Sequence, residues 1–468
     1  MQDLTQAPMN IGKELSEMST DQTQLRAPSR LASVLAGKLV IPEHAGFDEA
    51  RRAFNLAIDQ RPAAVVFPES PQDVAAAVLF AREFDLRVAA QGTGHNAGPL
   101  GSLEDAILLK TERMRGVSID PARRTARVEA GTLWLEVVEA AAQHGLAALA
   151  GSSPNVGVVG YTLGGGISFL ARKYGLAANH VRAVELVTAD GRRVRADREH
   201  EPDLFWALRG GGGSFGVVTA IEFELFPITH AYAGILWYPI ERGPEVLHAW
   251  RELTHSEQLP DELTTIGRFL NLPPLPEIPE PVRGKSFAVV EVYHLGDPAD
   301  ADHLLAPLRA LGPSNDTITT VPMTALHPIH MDPEQPVPYD GDGLLVDHLS
   351  TDALDAFAEA AGANAQSHSC RSSCATSAES WAVRDPSTVP LPRSTRTTSC
   401  SPSASCPRPS SKRPCAPKCR PSRPHLRAGQ RATCTSTSPR HSKTLRRSGP
   451  NRPTTAYAAS KTPSTPTT

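Results

Sequence analysis

The sequence predicts an α+β protein, and three observations carry that prediction. From Arg61 onward the chain runs in β–α–β order. After Thr229, strand-like runs alternate with helical ones in the manner of an antiparallel sheet with helices on one side. At Cys370 the composition changes so sharply that the remainder is expected not to fold.

Residues 1–30 are polar and lack apolar period, and are expected to form a flexible arm. Leu31 to Gln60 reads as short helices, with FDEARRAFNLAID at helical spacing. RPAAVVFP is a short strand that ends at Pro68. In SPQDVAAAVLFAREFDL, Ser70 is the N-cap, Pro71 opens the first turn, and Val74, Val78 and Ala81 form the apolar stripe. LRVAAQ is the next buried strand. AILLKT, GVSID and TARVEAG follow as strands, and WLEVVEAAAQHGL is a helix closed by Gly145. VRAVELVTADGRRVRA is a strand pair turning at Asp190-Gly191. DLFWALRGGGGSFGVVTAIEFELFPI closes a unit spanning 31–228. In 229–365, AGILWYP, LTTIGRFLNLP and SFAVVEVYHLG read as strands and VLHAWRELT as a helix. NLPPLPEIPEP is a rigid surface loop.

The net charge of −3 hides two unlike parts. The last 99 residues hold 18 Lys and Arg against two acids, which leaves 29 basic and 48 acidic residues in the first 369. All seven cysteines lie in the basic part, so the main body cannot be disulfide-stapled. Its acidity argues against a nucleic-acid partner. No apolar run reaches the ~18 residues of a membrane span, so no membrane partner is expected. MQDLTQAPMN has neither a basic region nor an apolar core, so no leader is expected either and the cytoplasm is the predicted location.

From Cys370, Leu, Ile, Val and Phe number only five, and Ser, Thr, Pro and Arg dominate. Residues 366–468 are therefore predicted to be a disordered basic tail. CRSSC and CAPKC have loose zinc spacing but lack the apolar residues of a mini-domain, so no metal is expected. The tail reads as a GC-rich gene translated in a shifted frame. The codons of TCTSTSP, for example, permit DLHLNFT in another frame.

Three glycine clusters stand out: GTGHNAG, GSSPNVGVVGYTLGGG and the glycines of FWALRGGGGSFGVVT. The first follows a strand, as in a dinucleotide-binding loop, but Pro99 and Gly101 break any helix there, so the fold is not Rossmann. Glycine weakens regular structure by roughly 0.5–1 kcal/mol, so runs of it need a reason. Three clusters, one holding His95, point to a large phosphate-bearing cofactor threaded close to the backbone.

These motifs resemble the FAD-binding (PCMH-type) domain of the p-cresol methylhydroxylase and vanillyl-alcohol oxidase superfamily. Within it, they resemble berberine-bridge-like FAD-linked oxidases. The resemblance is dense from Arg61 to Ile228 and implies a two-subdomain FAD-binding domain followed by a substrate domain. It implies that Gly92, Thr93, Gly94 and Asn96 bind the pyrophosphate through their amides, and that His95 takes the position of the flavin-linked histidine. Doubly linked members carry a cysteine where this chain has Ser153, so a single covalent link through His95, or none, is expected. Gly157, Val158, Gly160, Tyr161, Gly164, Gly165 and Gly166 would line the flavin and ribityl chain, and Gly216, Val217 and Val218 the adenine. Gly131 and Thr132 are weaker candidates near the pyrophosphate.

The implied activity is oxidation of a hydroxyl or amine of a small metabolite by hydride transfer to flavin, with molecular oxygen as a candidate acceptor. Arg268, Tyr293 and His294 are candidates on the substrate sheet, though Tyr293 and His294 are strand neighbours and cannot share a face. His327 and His330 sit in a proline-rich stretch expected at the surface. In the family a later aromatic–Asn segment returns to the flavin, and only the out-of-frame DLHLNFT resembles it. The alternatives are therefore an inactive truncated flavoprotein, or a nicotinamide-linked FAD reductase of the cell-wall precursor type. Sequencing the gene across codons 366–370 is expected to show an inserted or deleted base, and an intact frame shared by close relatives would refute the shift.

Overall fold

In the computed structural model the described residues are 28–276, 278–341, 343–346 and 348–363, with the backbone of 371–376, 398–405 and 433–434. Most of the expected flexible arm and most of the tail lie outside them. Three sheets organise the fold.

The first sheet has the order β1-β2-β4-β3. β1 is Lys38–Val40, β2 Ala64–Phe67, β3 Arg87–Gln91 and β4 Ala106–Lys110. β2, β4 and β3 are parallel, and β1 runs antiparallel to β2. β1 was not expected from the sequence. Residues 28–34 form helix α1, and FDEARRAFNLAID yields only a single turn, α2 (Phe47–Ala50). The chain leaves helix there because the amides of Phe54 and Asn55 bond to the carbonyls of Thr93 and Gly94 instead. The crossover helix α3 (Pro71–Glu83) starts as predicted, with Ser70 accepting from the amide of Asp73. The buried Asp73 carboxylate in turn accepts from the amides of Ala36, Gly37 and Glu69, which ties α1 and β1 to this crossover.

The second sheet is antiparallel, in the order β5-β6-β9-β7-β8. β5 is Val117–Asp120, β6 Thr125–Glu129, β7 Val181–Val187, β8 Arg193–Asp197 and β9 Val217–Glu224. Helix α4 (Trp134–Ala142) and the short α5 (Val158–Leu163) and α6 (Ala171–Tyr174) fall between its strands, as does α7 (Pro202–Gly211). Trp134, Val137, Phe205, Leu208 and Phe223 form its core.

The third sheet is built on β10 (His230–Pro239), β12 (Ser286–His294) and β11 (Leu263–Asn271), all antiparallel. Helices α8 (Gly243–His255), α9 (Pro298–Ala310) and α11 (Thr351–Ala361) follow the chain, with the one-turn α10 (His327–His330) between the last two. Leu236, Val290, Val292, Trp250, Leu305 and Leu354 pack between one face and these helices. Strand alternation puts Ala231, Ala233, Ile266 and Tyr293 on the other face, where they meet Leu149, Phe169 and Leu170 of the glycine-rich body. Short strands β13 (Asn315–Asp316) and β14 (Thr319–Pro322) extend the sheet beside β10.

β15 (Tyr339–Gly341), β16 (Leu344–Val346), β17 (Arg371–Thr376), β18 (Thr398–Ser405) and β19 (Thr433–Cys434) continue this sheet beyond β11. β17 to β19 come from the stretch that composition predicts not to fold, and most of that stretch lies outside the described residues. A strand edge such as that of β11 pairs through backbone groups alone, so apolar side chains are not required. Trp250 is fully buried and its indole donates to Thr265 at 3.2 Å. Trp250→Ala should lower stability by roughly 3–5 kcal/mol in chemical denaturation, while Trp206→Ala, at a half-exposed position, should change little.

Candidate functional site

The first glycine loop follows the carboxyl end of β3. Its carbonyls are committed, since Thr93 O and Gly94 O accept from Phe54 and Asn55 at 3.0 and 3.3 Å. Its amides are not. Among the described residues, Gly92, Thr93, Gly94, His95 and Asn96 donate to no protein acceptor. Gly94 has φ +85, and a Cβ there would lie 2.8 Å from that of Ala53, so only glycine fits. The His95 ring stacks on Phe54 at 3.8 Å, and its Nδ1 bonds the Thr93 hydroxyl at 2.7 Å. Its Nε2 is buried without a hydrogen bond. Burial pushes the His95 pKa down to about 4, against smaller upward effects of Asn155 and Asp332, so the imidazole is neutral at pH 7.

The second cluster packs directly on the first. A Cβ on Gly157 would lie 3.9 Å from the Thr93 methyl and 4.0 Å from Gly92 Cα. Gly157 and Val158 are held from behind, by a bridge to Leu133 and by the Val158 amide bonding Thr132 O at 3.0 Å. Gly160 faces open space. Tyr161 turns inward. Its ring fills the room that Gly151 and Gly166 leave, its hydroxyl donates to Leu149 O at 3.1 Å, and burial raises its pKa well above the usual phenol value. Gly164 and Gly165 continue the turn, with Gly165 at φ +117. The Ser153 hydroxyl donates to Asn155 Oδ1 at 2.9 Å. Gly131 has no room for a Cβ against Thr111 O, and the Thr132 hydroxyl is spent on Gly116 O.

At the third cluster, Gly216 packs on Val187 O, with φ +152. Val217 and Val218 open β9 and pair with β7. On the β6 side the ladder stops at Ala220, which leaves that backbone edge of Val217 and Val218 without a strand partner.

Opposite the second cluster, the sheet face carries a buried charged group. Arg268 on β11 meets Glu291 on β12 at 2.8 Å, and both are essentially inaccessible. His330 Nδ1 and the Tyr293 hydroxyl reach the same carboxylate at 2.8 and 2.9 Å. Burial raises the Glu291 pKa, but Arg268 and His330 outweigh it and hold the group well below the carboxylate range. Burial and Glu291 keep Tyr293 protonated. Tyr293 also stacks on Phe169 at 4.2 Å, whereas His294 points to the opposite, helix-covered side.

His327 and His330 are not surface residues, contrary to the sequence expectation. They lie on α10, with His327 buried and His330 drawn in by Glu291. Proline density signalled a loop there, but one helical turn tolerates Pro328 at its first turn. Sequence reasoning also missed Glu291, Asp332 and Tyr339. Glu291 had a signal, a lone acid inside the apolar run AVVEVY. Asp332 accepts from Ser152 at 2.5 Å, and the Tyr339 hydroxyl donates to His95 O.

A family model described as an FAD binding domain matches residues 62–197. (R)-6-hydroxynicotine oxidase of Paenarthrobacter nicotinovorans is 36% identical over 215 residues, covering 45% of this chain and 47% of that protein. The FAD-linked oxidoreductase YvdP of Bacillus subtilis is 31% identical over 313 residues, covering 66% of this chain and 67% of that protein. The chain belongs to the FAD-linked oxidoreductases. The crystal structure of 6-hydroxy-D-nicotine oxidase from Arthrobacter nicotinovorans superposes with a TM-score of 0.64 at 26% identity, covering 79% of this chain and 81% of that one. The chain spans about half the length of several curated relatives it matches.

FAD is accordingly the cofactor of this FAD-linked oxidoreductase, and the residues present fit it. Among the described residues, five amides await an acceptor, two glycine loops meet with only the Thr93 side chain between Gly92 and Gly157, and one buried imidazole nitrogen has no hydrogen bond. Glu291→Gln should leave Arg268 buried without its countercharge and cost roughly 3–5 kcal/mol at neutral pH. Because the folded pKa of Glu291 is depressed, its stabilisation is complete above the unfolded value of 4.5 and fades as pH falls toward about 2. Melting curves of parent and variant should therefore converge over that window.

Proposed function

We propose that the chain is an FAD-dependent oxidase or dehydrogenase that oxidises a hydroxyl or amine of a small metabolite. The observation that carries this reading is the row of unsatisfied amides from Gly92 to Asn96, which suits a pyrophosphate. Bound FAD supplies the two-electron acceptor. In this reading residues 31–228 hold the cofactor and 229–365 the substrate.

The chain's own residues divide the remaining work. Gly92, Thr93, Gly94, His95 and Asn96 bind phosphate oxygens through their amides. Gly157, Val158, Gly160, Gly164, Gly165 and Gly166 let the cofactor approach the backbone, with Tyr161 bracing them from inside. The free backbone edge of Val217 and Val218, beside Gly216, suits a base that presents a donor next to an acceptor. Neutral His95 is a competent nucleophile for the flavin 8-methyl position. Ser153 is not, since a hydroxyl pKa lies far above that of a thiol and its proton is held on Asn155.

On the substrate side, Arg268 is neutralised by Glu291, Tyr293 keeps its proton, and His294 faces away. None of the three is an available base, so the sheet face contributes fixed charge and shape. The oxidase name of the hydroxynicotine relative favours this reading over a cell-wall precursor reductase and supports molecular oxygen as acceptor. The acidic, cysteine-free body supports a cytoplasmic location. Among the described residues no helix is long and apolar enough to cross a membrane.

The purified protein is expected to be yellow and to keep its colour after acid precipitation. His95→Ala should release all flavin into the acid supernatant, and peptide mass spectra should show no flavin on Ser153. A colourless parent would refute the reading in favour of a flavin-free remnant, and acid-released colour from the parent would remove the covalent link.

A further inference from the structure

The segment Met331–Tyr339 crosses from the second glycine cluster to the first, and neither its sequence nor the proposed reaction accounts for its course. It begins at the charged cluster, where His330 O accepts from Arg268 at 2.9 Å. Met331 then adopts a left-handed backbone, φ 58, which turns the chain away from α10. Asp332 takes the Ser152 hydroxyl at 2.5 Å, and Glu334 O takes the Asn155 side-chain amide at 2.7 Å. Both partners belong to the second glycine cluster. Val337 exchanges backbone hydrogen bonds with Phe54 and Leu56, on either side of Asn55, and both Phe54 and Asn55 hold the first glycine loop. Finally the Tyr339 hydroxyl donates to His95 O, and the Tyr339 amide bonds Asn55 Oδ1 at 3.2 Å.

The composition suits a strap. Pro333, Pro336 and Pro338 have fixed φ and no N–H to satisfy. Each also forces the residue before it, Asp332, Gln335 or Val337, toward an extended backbone. An extended shape is thus largely set before folding, and little entropy is lost in laying the segment across the two loops. Burial raises the Tyr339 pKa to about 12, so its hydroxyl remains a donor to the His95 carbonyl.

We propose that Asp332 and Tyr339 are positioning residues that clamp the His95 loop to the second glycine cluster, so that retention of FAD depends on this strap. The inference rests on the FAD reading above. Asp332 anchors the strap to the second loop, and Tyr339 anchors it to the first through the backbone of His95. Loss of either anchor loosens one loop from the other while leaving the amides and the imidazole themselves unchanged.

The test uses the full-length chain carrying His95→Ala, in which FAD is held without a covalent link, and follows release as the rise of free FAD fluorescence after dilution. Asp332→Ala and Tyr339→Phe should each speed release by roughly tenfold, the scale of one lost hydrogen bond. Tyr232→Phe is the control, because it removes a hydroxyl bonded to Asp302 at 2.7 Å on the substrate sheet outside the strap; its release rate should match the parent. With His95 intact, the two strap variants should also retain less flavin after acid precipitation. Parental release rates in both strap variants overturn the inference, as does an equal rise in Tyr232→Phe. A parent that binds no FAD overturns the FAD reading itself, and the strap with it.

Discussion

Five consecutive backbone amides, Gly92 to Asn96, have no protein acceptor among the described residues, and they set the terms for the rest of the molecule. A folded chain rarely leaves even one buried amide unpaired, because each costs about as much as a lost hydrogen bond. Five in a row are tolerable only where an anion or solvent meets them. The surrounding structure keeps them in that state. Phe54 and Asn55 occupy the loop's carbonyls, Gly94 packs on Ala53 where no side chain fits, and Phe54 covers the His95 ring. The unexpected breakdown of helix after Ala50 has the same origin, since the amides that would continue it serve the glycine loop.

The three sheets divide the work around that loop. The parallel sheet delivers it at the carboxyl end of β3. The antiparallel sheet supplies the second cluster and the start of β9. The third sheet turns one face to its own helices and the other to the glycine-rich body. Burying Arg268 and Glu291 on that inner face costs desolvation, which the ion pair and the bonds from His330 and Tyr293 offset only together. The cluster therefore depends on α10, and through Asp332 and Tyr339 the segment after α10 couples it to both glycine loops.

Much of the fold was legible in the sequence where local rules suffice. Ser70-Pro71, Gly145 and Asp190-Gly191 mark helix and turn ends through local chemistry, and β10, β11 and β12 follow from apolar runs. The glycine loops were visible because their spacing has few other causes. What stayed hidden depends on distant partners. β1 needs β2, FDEARRAFNLAID loses its helix to Thr93 and Gly94, and β17 needs the open edge of β11, β18 that of β17 and β19 that of β16. Glu291 was legible only as an anomaly in an apolar strand, since its meaning comes from Arg268 and His330. Asp332 and Tyr339 sit among prolines that correctly signal extended chain but say nothing of what that chain crosses.

The central claim is that FAD satisfies the amides of the first glycine loop, and amide hydrogen exchange reads those groups directly. Exchange over residues 92–96 should slow strongly when FAD is added to apoprotein, with β8, on the far edge of the second sheet, unchanged. Equal exchange at 92–96 with and without bound FAD would contradict the account.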